Sequence, residues 1–472
     1  MKRQAWMMAI AIVGVTASPV LAAEPWEERT PELGQAGREV SGRLDAARLK
    51  ALTDIGEKLF SARFTILDGA GRPEATQAIV PTRRKHPPAI GEFSRTAGMD
   101  ANACSSCHNL PVVGGAGDFT ANVFVSEGFE SADFDSIDPQ FSNERGTNHL
   151  FGAGLLELLA REITVDLKSQ RQTALKKAAA SGQPQRIALS SKGIDYGYLT
   201  VAPDGMVDMK ELDGIDMDLV VRPFSQKGVM TSLRQFTVNA LNHHHGMEAV
   251  ERFGGRWTGS PDFDGDRMSD EMSDGDVSAI VAWQATLPAP TIKVPDDPAW
   301  TIAAAQGEKL FAGMGCTQCH KPALPLESLA FADPGPFDVA GTLNDRQVKD
   351  VAIYDIGLRD WASKLPRDDK GQVMVPLLGD LKRHTMTDKS SETLGNELMA
   401  QRFVDRNIFM TAELWGVGST PPYGHRNDMT TMDEIIRAHG GDGRKARDAY
   451  TAASDKERSA IIAYLKTLVI EP

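Results

Sequence analysis

All four cysteines of the chain lie in two short strings, Cys104-Ser105-Ser106-Cys107-His108 and Cys316-Thr317-Gln318-Cys319-His320. Four-cysteine zinc sites usually have a few tens of residues between their pairs, whereas about 200 residues separate these two. A thioredoxin-like redox pair would not need the histidine that follows each string. The remaining interpretation is covalent attachment of a c-type haem at each string, with both thiols bonded to the haem and the histidine bound to its iron.

The chain also repeats itself around these strings. The pentapeptide GEKLF occurs at Gly56–Phe60 and at Gly307–Phe311, each time ahead of a cysteine string. Residues 273–287 and 454–468 also align, and each stretch begins with a serine followed three residues later by an acid, an N-cap signal ahead of apolar residues at helical spacing. Shared features in the same order indicate a duplicated unit.

The length of the chain and the positions of its prolines suggest where the two units are divided. A chain of 472 residues is too long for one ordinary core. Four prolines between residues 288 and 298 are typical of a linker. We therefore predict an N-terminal domain at 23–290, a linker at 291–300 and a C-terminal domain at 301–472. The first domain is larger because of a loop insertion after Phe60 and a polar stretch from about 167 to 216, for which we predict a short hairpin near 196–207.

The first residues have the layout of a secretory signal peptide, with Lys2 and Arg3 before an apolar run and a small-residue site at Val20-Leu21-Ala22. We expect residues 1–22 to be removed and the rest to be exported to the periplasm. The apolar run is shorter than a membrane-spanning helix needs, and no later segment is long and apolar enough, so no membrane span is expected. The net charge of -13 argues against a nucleic-acid partner.

The ligand opposite each proximal histidine decides whether an iron carries electrons or reacts. In the second unit, Met432, Ile435, Ile436 and His439 share one helical face, and Gly440 follows where a helix would end. A histidine on an apolar face is more often an ordinary core residue, but the haem string in the same unit favours His439 as the second axial ligand.

In the first unit, the corresponding helix-like run ends in three consecutive histidines, His243, His244 and His245. Three successive residues of a helix cannot all face one iron, so at least one of them has another role. His149 is a further candidate for the sixth position. The residues alone leave this choice open.

Several longer strings resemble one known family, the bacterial di-haem oxidoreductases of the di-haem cytochrome c peroxidase superfamily. The likeness covers nearly the whole chain after the signal peptide and rests on "RFTILDGAGRP", "SSCHNLPVVGGAG", "VVRPFSQKGVMTSLRQF", "CTQCHKPAL" and "LWGVGSTPPYGHRNDMTTMDEIIRAHGG". The resemblance implies a mainly α fold of two tandem cytochrome c-like domains. It also implies that His439 binds the second iron, and that His245 lies over the first haem as a ligand or as the catalytic acid and base.

Two departures from the family pattern stand out. The peroxidases that the chain resembles have a tryptophan just before the helix that leads to the first-haem acid, and this chain has none in that segment. Trp415 or Trp283 could replace it in carrying electrons. The "PYGH" turn is followed by Arg426-Asn427-Asp428 instead of the more usual acidic-glycine ending.

Calcium is the other candidate cofactor, since relatives often hold one between the domains. Asp262, Asp264, Asp266 and Asp270 have the alternating spacing of a calcium loop, although Arg267 stands where that loop needs glycine and Ser273 where it needs glutamate. A solvated acidic turn is the equal alternative.

Three functions fit these observations. The first is an enzyme that reduces hydrogen peroxide with electrons from a small carrier protein, a cytochrome c or a cupredoxin. The second is an electron carrier in which both irons have two histidine ligands. The third is an enzyme that oxidises a partner protein or an organic molecule. They differ in whether the first iron ever has an open sixth position.

Overall fold

A computed structural model describes residues 33–70, 101–124, 142–263, 266–339, 341–397, 400–401 and 403–471. The expected signal peptide lies outside these residues, as does most of the insertion after Phe60. Within the described ranges, no helix is both long and apolar enough to cross a bilayer.

The described chain contains eleven α-helices and thirteen short strands. The helices are α1 Ala46–Ser61, α2 Cys104–Cys107, α3 Ala153–Ser181, α4 Leu233–Ala240, α5 Val250–Phe253, α6 Gly255–Thr258, α7 Asp274–Ala285, α8 Pro298–Gly313, α9 Met432–Ala438, α10 Arg444–Ala452 and α11 Asp455–Leu465. The strands are β1 Thr120–Phe124, β2 Ser142–Gly146, β3 Gln185–Ser191, β4 Ile194–Val201, β5 Val207–Asp208, β6 Thr291–Ile292, β7 Leu324–Leu326, β8 Ala330–Asp333, β9 Ala352–Asp355, β10 Val373–Val375, β11 Arg383–Thr385, β12 Ile408–Met410 and β13 Leu468–Val469.

The expectation of a mainly α fold is wrong. The structure is 38% helix and 16% strand, and the strands form several small sheets. One has three strands in the order β3-β4-β5, and the others described are antiparallel pairs such as β7 with β10 and β8 with β9. Most of these pairs join segments far apart in sequence and only two to five residues long. Strands this short show too little alternation to be recognised from the sequence.

The two GEKLF pentapeptides occupy equivalent places in two helix pairs. α1 packs on α7, and a Cβ added at Gly56 would lie 2.0 Å from the carbonyl oxygen of Ala279. α8 packs on α11, and a Cβ at Gly307 would lie 2.0 Å from the carbonyl oxygen of Ala460. Each glycine therefore lets two helix backbones touch where any side chain would separate them.

The closing helices begin where the sequence predicts. Ser273 caps α7 and Ser454 caps α11, and each takes part in a complete capping box with the acid three residues later. The serine side chain accepts a hydrogen bond from the amide of that acid, whose carboxylate in turn binds the amide of the serine. These local signals need no tertiary contact, which is why they are readable in the sequence.

The largest hydrophobic core extends across the predicted linker. It includes α1, α3 and α7 side chains, but also Phe331, Tyr354 and Leu377 from the second unit. A separate cluster around Phe311 and Tyr464 fills the space between α8 and α11. The proposed boundaries at 290 and 301 remain a prediction. Each helix pair lies within one predicted domain, whereas the largest core contains residues of both.

The polar stretch of the first unit is a long helix followed by a sheet. α3 runs for 29 residues, and β3 pairs antiparallel with β4, which pairs with β5 near the predicted hairpin. α3 begins next to Trp415. Gly152, at the N-cap of α3, has φ 79°, and a Cβ added there would lie 2.5 Å from the Trp415 ring.

Candidate functional site

Both cysteine-histidine strings open onto one cavity of about 540 Å³. The first string contributes α2 and the second a 3-10 turn at Cys316–Gln318. Eight of the residues that line the cavity are histidines, and the other chemically notable ones are the four cysteines: His108, His149, His244, His245, His320, His384, His425, His439, Cys104, Cys107, Cys316 and Cys319. The fold therefore brings together side chains that are up to about 330 residues apart in the sequence.

His108 is held at the cavity wall by its own loop. Its Nδ1 donates a hydrogen bond to the carbonyl oxygen of Gly115, 3.2 Å away, and its ring packs near Phe60 with 5.8 Å between centroids. Because a carbonyl oxygen only accepts, the ring proton is on Nδ1. The lone pair of Nε2 is left for a metal.

His320 and His439 repeat this geometry in the second unit. Nδ1 of His320 lies 3.2 Å from the carbonyl oxygen of Leu378, and Nδ1 of His439 lies 2.7 Å from that of Ile435. Phe311 packs near His320 at 6.1 Å between centroids, as Phe60 does near His108. Both pentapeptides thus end in the phenylalanine that supports a string histidine.

Burial keeps these imidazoles neutral at neutral pH. It lowers the pKa of His108 and of His320 to about 4, and it also lowers that of His439. For His320, the second cause is the nearby ring of His439. Neutral imidazole with a fixed Nδ1 proton is the form that binds iron.

The four cysteines are free thiols in this structure. Burial raises the pKa of Cys104 to about 12 and that of Cys316 to about 11, so both are protonated at neutral pH. Two thiols and one neutral histidine at each end of a shared cavity fit a pair of covalently attached haems.

The three consecutive histidines lie on a π-helical turn, Leu241–His245, that continues α4. His245 is buried, its Nδ1 lies 2.9 Å from the carbonyl oxygen of Ala101, and its Nε2 lies 3.5 Å from Sγ of Cys104. His244 also faces the cavity, near enough to His108 for its charge to lower the pKa of that ring. The assignment of His245 as catalytic or iron-binding therefore stays a prediction, with His244 beside it.

His149 connects the first unit to the second. Its Nε2 donates to the carbonyl oxygen of Trp415 at 3.0 Å, and burial lowers its pKa to about 4. Trp415 is buried and lines the cavity, whereas Trp283 packs against Phe60 with the rings tilted by 40° and 4.4 Å between centroids. Both tryptophans singled out in the sequence lie close to the strings.

A triad missed by the sequence reasoning lies against the second string. Nε2 of His384 is 2.9 Å from a carboxylate oxygen of Asp380, and its Nδ1 is 4.0 Å from Sγ of Cys319. Among the described residues, these three form a group close enough to hold a metal ion. Burial acts to lower the pKa of His384, but the bond to Asp380 outweighs it and raises that pKa to about 10. The four-residue spacing of Asp380 and His384 was the available signal.

A second missed cluster surrounds His425 of the "PYGH" turn. His425 is 7% exposed and its ring packs on Phe409, with 4.6 Å between centroids. Lys227, which is fully buried, lies 3.3 Å from Glu397 and donates to three backbone carbonyls. Arg145 contacts the same carboxylate at 2.8 Å. Burial, followed by the charges of Arg145 and Lys227, lowers the pKa of His425 to about 3.

The segment with calcium-loop spacing is described in part, because Asp264 lies outside the described residues. The carboxylates of Asp262 and Asp266 accept hydrogen bonds from the backbone amides of Arg267 and Met268, at 3.2 and 2.7 Å. These contacts fit an acidic turn as well as an ion site. Calcium binding remains a prediction.

No protein-family model matches this chain, and no curated protein matches it. Among solved structures, it is similar to a chain of hydrazine synthase from Kuenenia stuttgartiensis, studied under 20 bar of xenon, with 12% identity and a TM-score of 0.38, over 98% of this chain and 100% of the other. It is also similar to a MauG-like protein associated with microbial copper homeostasis, with 17% identity and a TM-score of 0.27, over 57% of this chain and 78% of the other. Both likenesses are loose.

Proposed function

We propose that this chain is a di-haem c-type oxidoreductase that reduces hydrogen peroxide with electrons from a small carrier protein. One observation carries the proposal. Both strings open onto one cavity, and His108, His320 and His439 all direct Nδ1 to a backbone carbonyl, which leaves Nε2 for iron. A bound haem would supply one-electron chemistry at each string and, where a sixth position is open, peroxide chemistry.

The residues around the two strings would have different roles. In the second unit, His320 and His439 would hold the iron from both sides, which suits electron storage. In the first unit, His108 would hold the iron from one side, and a histidine of the π-helical turn would handle the proton that leaves with water. His245 is the proposed acid and base, because its Nδ1 proton is fixed by Ala101 and its Nε2 can accept and return a proton.

Several further parts of this proposal rest on the sequence. Export to the periplasm depends on the signal peptide, and the donor would be a small cytochrome c or cupredoxin. The likeness to the bacterial di-haem oxidoreductases supports both.

A second candidate is an electron carrier without a substrate. It is favoured by the number of histidines near His108, since the charges of both His244 and His149 would lower the pKa of that ring. If one of them closes the first iron, peroxide has no place to bind.

The first experiment counts haems. The purified protein should contain two covalently attached haems, measured by the absorbance of the pyridine complex in alkali. The double variant C104S/C107S should lose one, and the matched variant C316S/C319S should lose the other. Two haems in either variant, or none in the unaltered protein, would contradict the assignment of the strings.

The second experiment tests the open position by electron paramagnetic resonance. A high-spin signal that hydrogen peroxide consumes would support the peroxidase, and two low-spin signals indifferent to peroxide would support the carrier. His439→Ala should abolish the low-spin signal of one haem and leave both haems attached. His425→Ala, at the wall of the same cavity, is the control and should leave that signal in place. Two unchanged low-spin signals in His439→Ala would remove it as a ligand.

A further inference from the structure

The two string histidines are joined by a continuous series of hydrogen bonds and backbone. On the second side, Nδ1 of His320 and the backbone amide of Leu414 both donate to the carbonyl oxygen of Leu378, at 3.2 and 3.3 Å. The next residue, Trp415, presents its carbonyl oxygen to Nε2 of His149 at 3.0 Å. The second string is thereby linked to a side chain of the first unit.

On the first side, the connection continues through the backbone of His149. The next amide, that of Leu150, donates to the carbonyl oxygen of Gly114 at 2.8 Å. The neighbouring carbonyl, that of Gly115, accepts from Nδ1 of His108 at 3.2 Å. The series therefore begins and ends on the two histidines that follow the cysteine strings.

Only one side chain in this series is not itself a string histidine. Every other link is backbone, so no substitution removes it directly, whereas changing His149 breaks the bond to Trp415. The bond is held in place from both sides. A Cβ at Gly416 would come within 3.1 Å of Nε2 of His149, and one at Gly152 within 2.5 Å of the Trp415 ring.

We propose that His149 is the positioning residue that couples the two haem sites, and that it does so through its Nε2 hydrogen bond to Trp415 and not as an iron ligand. With a haem held at each string, the coupling would be a one-electron exchange, in which one iron would lose the electron that the other gains. No proton has to move, because each hydrogen in the series already lies on its donor. The inference rests on the proposed haems, but it does not need peroxide to be the substrate.

The tautomer of His149 is the reverse of the one found in the histidines assigned to iron. A carbonyl oxygen only accepts, so the Nε2 that faces Trp415 carries the proton of His149, and the lone pair of the ring lies on Nδ1. His108, His320 and His439 have the opposite arrangement, with the proton on Nδ1. His149 is thus built differently from the three histidines assigned to iron.

The test compares two substitutions of His149 in the haem-loaded protein. His149→Phe keeps an aromatic ring and loses the donor, whereas His149→Gln keeps an amide nitrogen near the position of Nε2. A laser flash would deliver less than one equivalent of a one-electron reductant, a reduced flavin, and the absorbance of the haems would follow how fast the electron redistributes between them. The midpoint potentials of both haems would be measured in each variant, so that the exchange rates can be compared at equal driving force.

We expect His149→Phe to slow the exchange, because this variant loses the one side-chain hydrogen bond of the series that does not involve a string histidine. His149→Gln should restore most of the rate. Tyr198→Phe, which changes an exposed aromatic residue that does not line the cavity, should leave the rate unchanged.

Three outcomes would overturn the inference. An unchanged rate in His149→Phe with both haems attached would show that the series does not couple the sites. Equal slowing in His149→Phe and His149→Gln would show that the donor is not what matters. Loss of a low-spin signal in either variant would make His149 a ligand. If the protein exchanges electrons as expected but does not consume peroxide, the proposed peroxidase activity would be wrong and the role of His149 would still hold.

Discussion

Residues at the wall of the cavity take their properties from the backbone that surrounds them. Gly115, Leu378 and Ile435 each offer a carbonyl oxygen to the Nδ1 of one histidine. A backbone carbonyl cannot be lost by mutation, so the hydrogen bond that fixes each Nδ1 proton depends on the course of the backbone and not on a second side chain. The tautomer and the ring orientation of each histidine are thus set before a metal binds.

Glu413 is a titratable residue at the same wall that has no role in the proposal. Its Oε1 is buried and accepts no hydrogen bond, although the residue as a whole is partly exposed. Burial raises the pKa of Glu413 to about 8, and the charge of Asp380 adds to that effect. At neutral pH its carboxyl is therefore mostly protonated.

This shift makes a prediction about pH. Because the pKa in the folded protein is about 8 and the ordinary value 4.5, the folded state binds more protons than the unfolded one between these values. The contribution of Glu413 to stability should thus fall as the pH rises from about 4.5 through about 8. Glu413→Gln has no charge to bury, so its Tm should decline less over this range than that of the unaltered protein. Other groups titrate in both proteins, and parallel Tm curves would contradict the assignment.

At the scale of elements, the two helix pairs are the clearest sign of duplication. α1 meets α7 at Gly56 and α8 meets α11 at Gly307, with a carbonyl oxygen at the same distance from the position of the missing Cβ. Beyond each crossing, the phenylalanine of the pentapeptide supports a string histidine. The pentapeptide therefore repeats because one short helix segment has two tasks, close packing and support of the site.

Alanine at the second crossing tests this account. Gly307→Ala must push α11 away from α8, and we expect a loss of about 1–3 kcal/mol in the free energy of unfolding, as for other overpacked cores. Gly313→Ala is the matched control, because it lies on the same helix and its Cβ would meet nothing within 4 Å. The measurement is urea unfolding of both variants. Equal midpoints would show that the helices can separate at no cost.

At the scale of the whole molecule, a buried ion cluster ties the predicted domains together. Arg234 of α4 lies 2.6 Å from Glu251 and 2.9 Å from Asp333, and all three side chains are at most 1% exposed. Tyr354 donates to Asp333 at 2.6 Å. Two of these residues precede the proline-rich linker and two follow it. The same is true of the core described above, so the two units share more than a cavity.

Removal of this cation should destabilise the protein strongly. Arg234→Met would leave two carboxylates buried without their partner, a loss of about 3–5 kcal/mol for a broken buried pair. Arg186→Met is the control. It breaks the exposed pair with Glu211 and should change Tm little, since such pairs contribute little to stability. Calorimetry of both variants gives the comparison, and similar Tm values would mean that the buried cluster is easily replaced.

Local signals account for what could be predicted. The capping serines of α7 and α11 and the repeated pentapeptides need only a few neighbouring residues, and the structure places each of them on a helix as expected. The fold class could not be obtained in this way. Strands such as β7 and β8 are three and four residues long and pair with segments some 20 to 50 positions away, so nothing in their own letters identifies them.

The candidate site, too, was predictable only where a local pattern in the sequence marks it. The sequence predicts which thiols and string histidines form it, because a cysteine string followed by histidine is a local pattern that can be recognised without the rest of the chain. Where those units meet, and what connects them, was decided by tertiary structure alone. The shared cavity, the triad at His384 and the bond from His149 to Trp415 each join segments 60 or more residues apart. Such contacts depend on how whole elements pack, and no local pattern in the sequence records that.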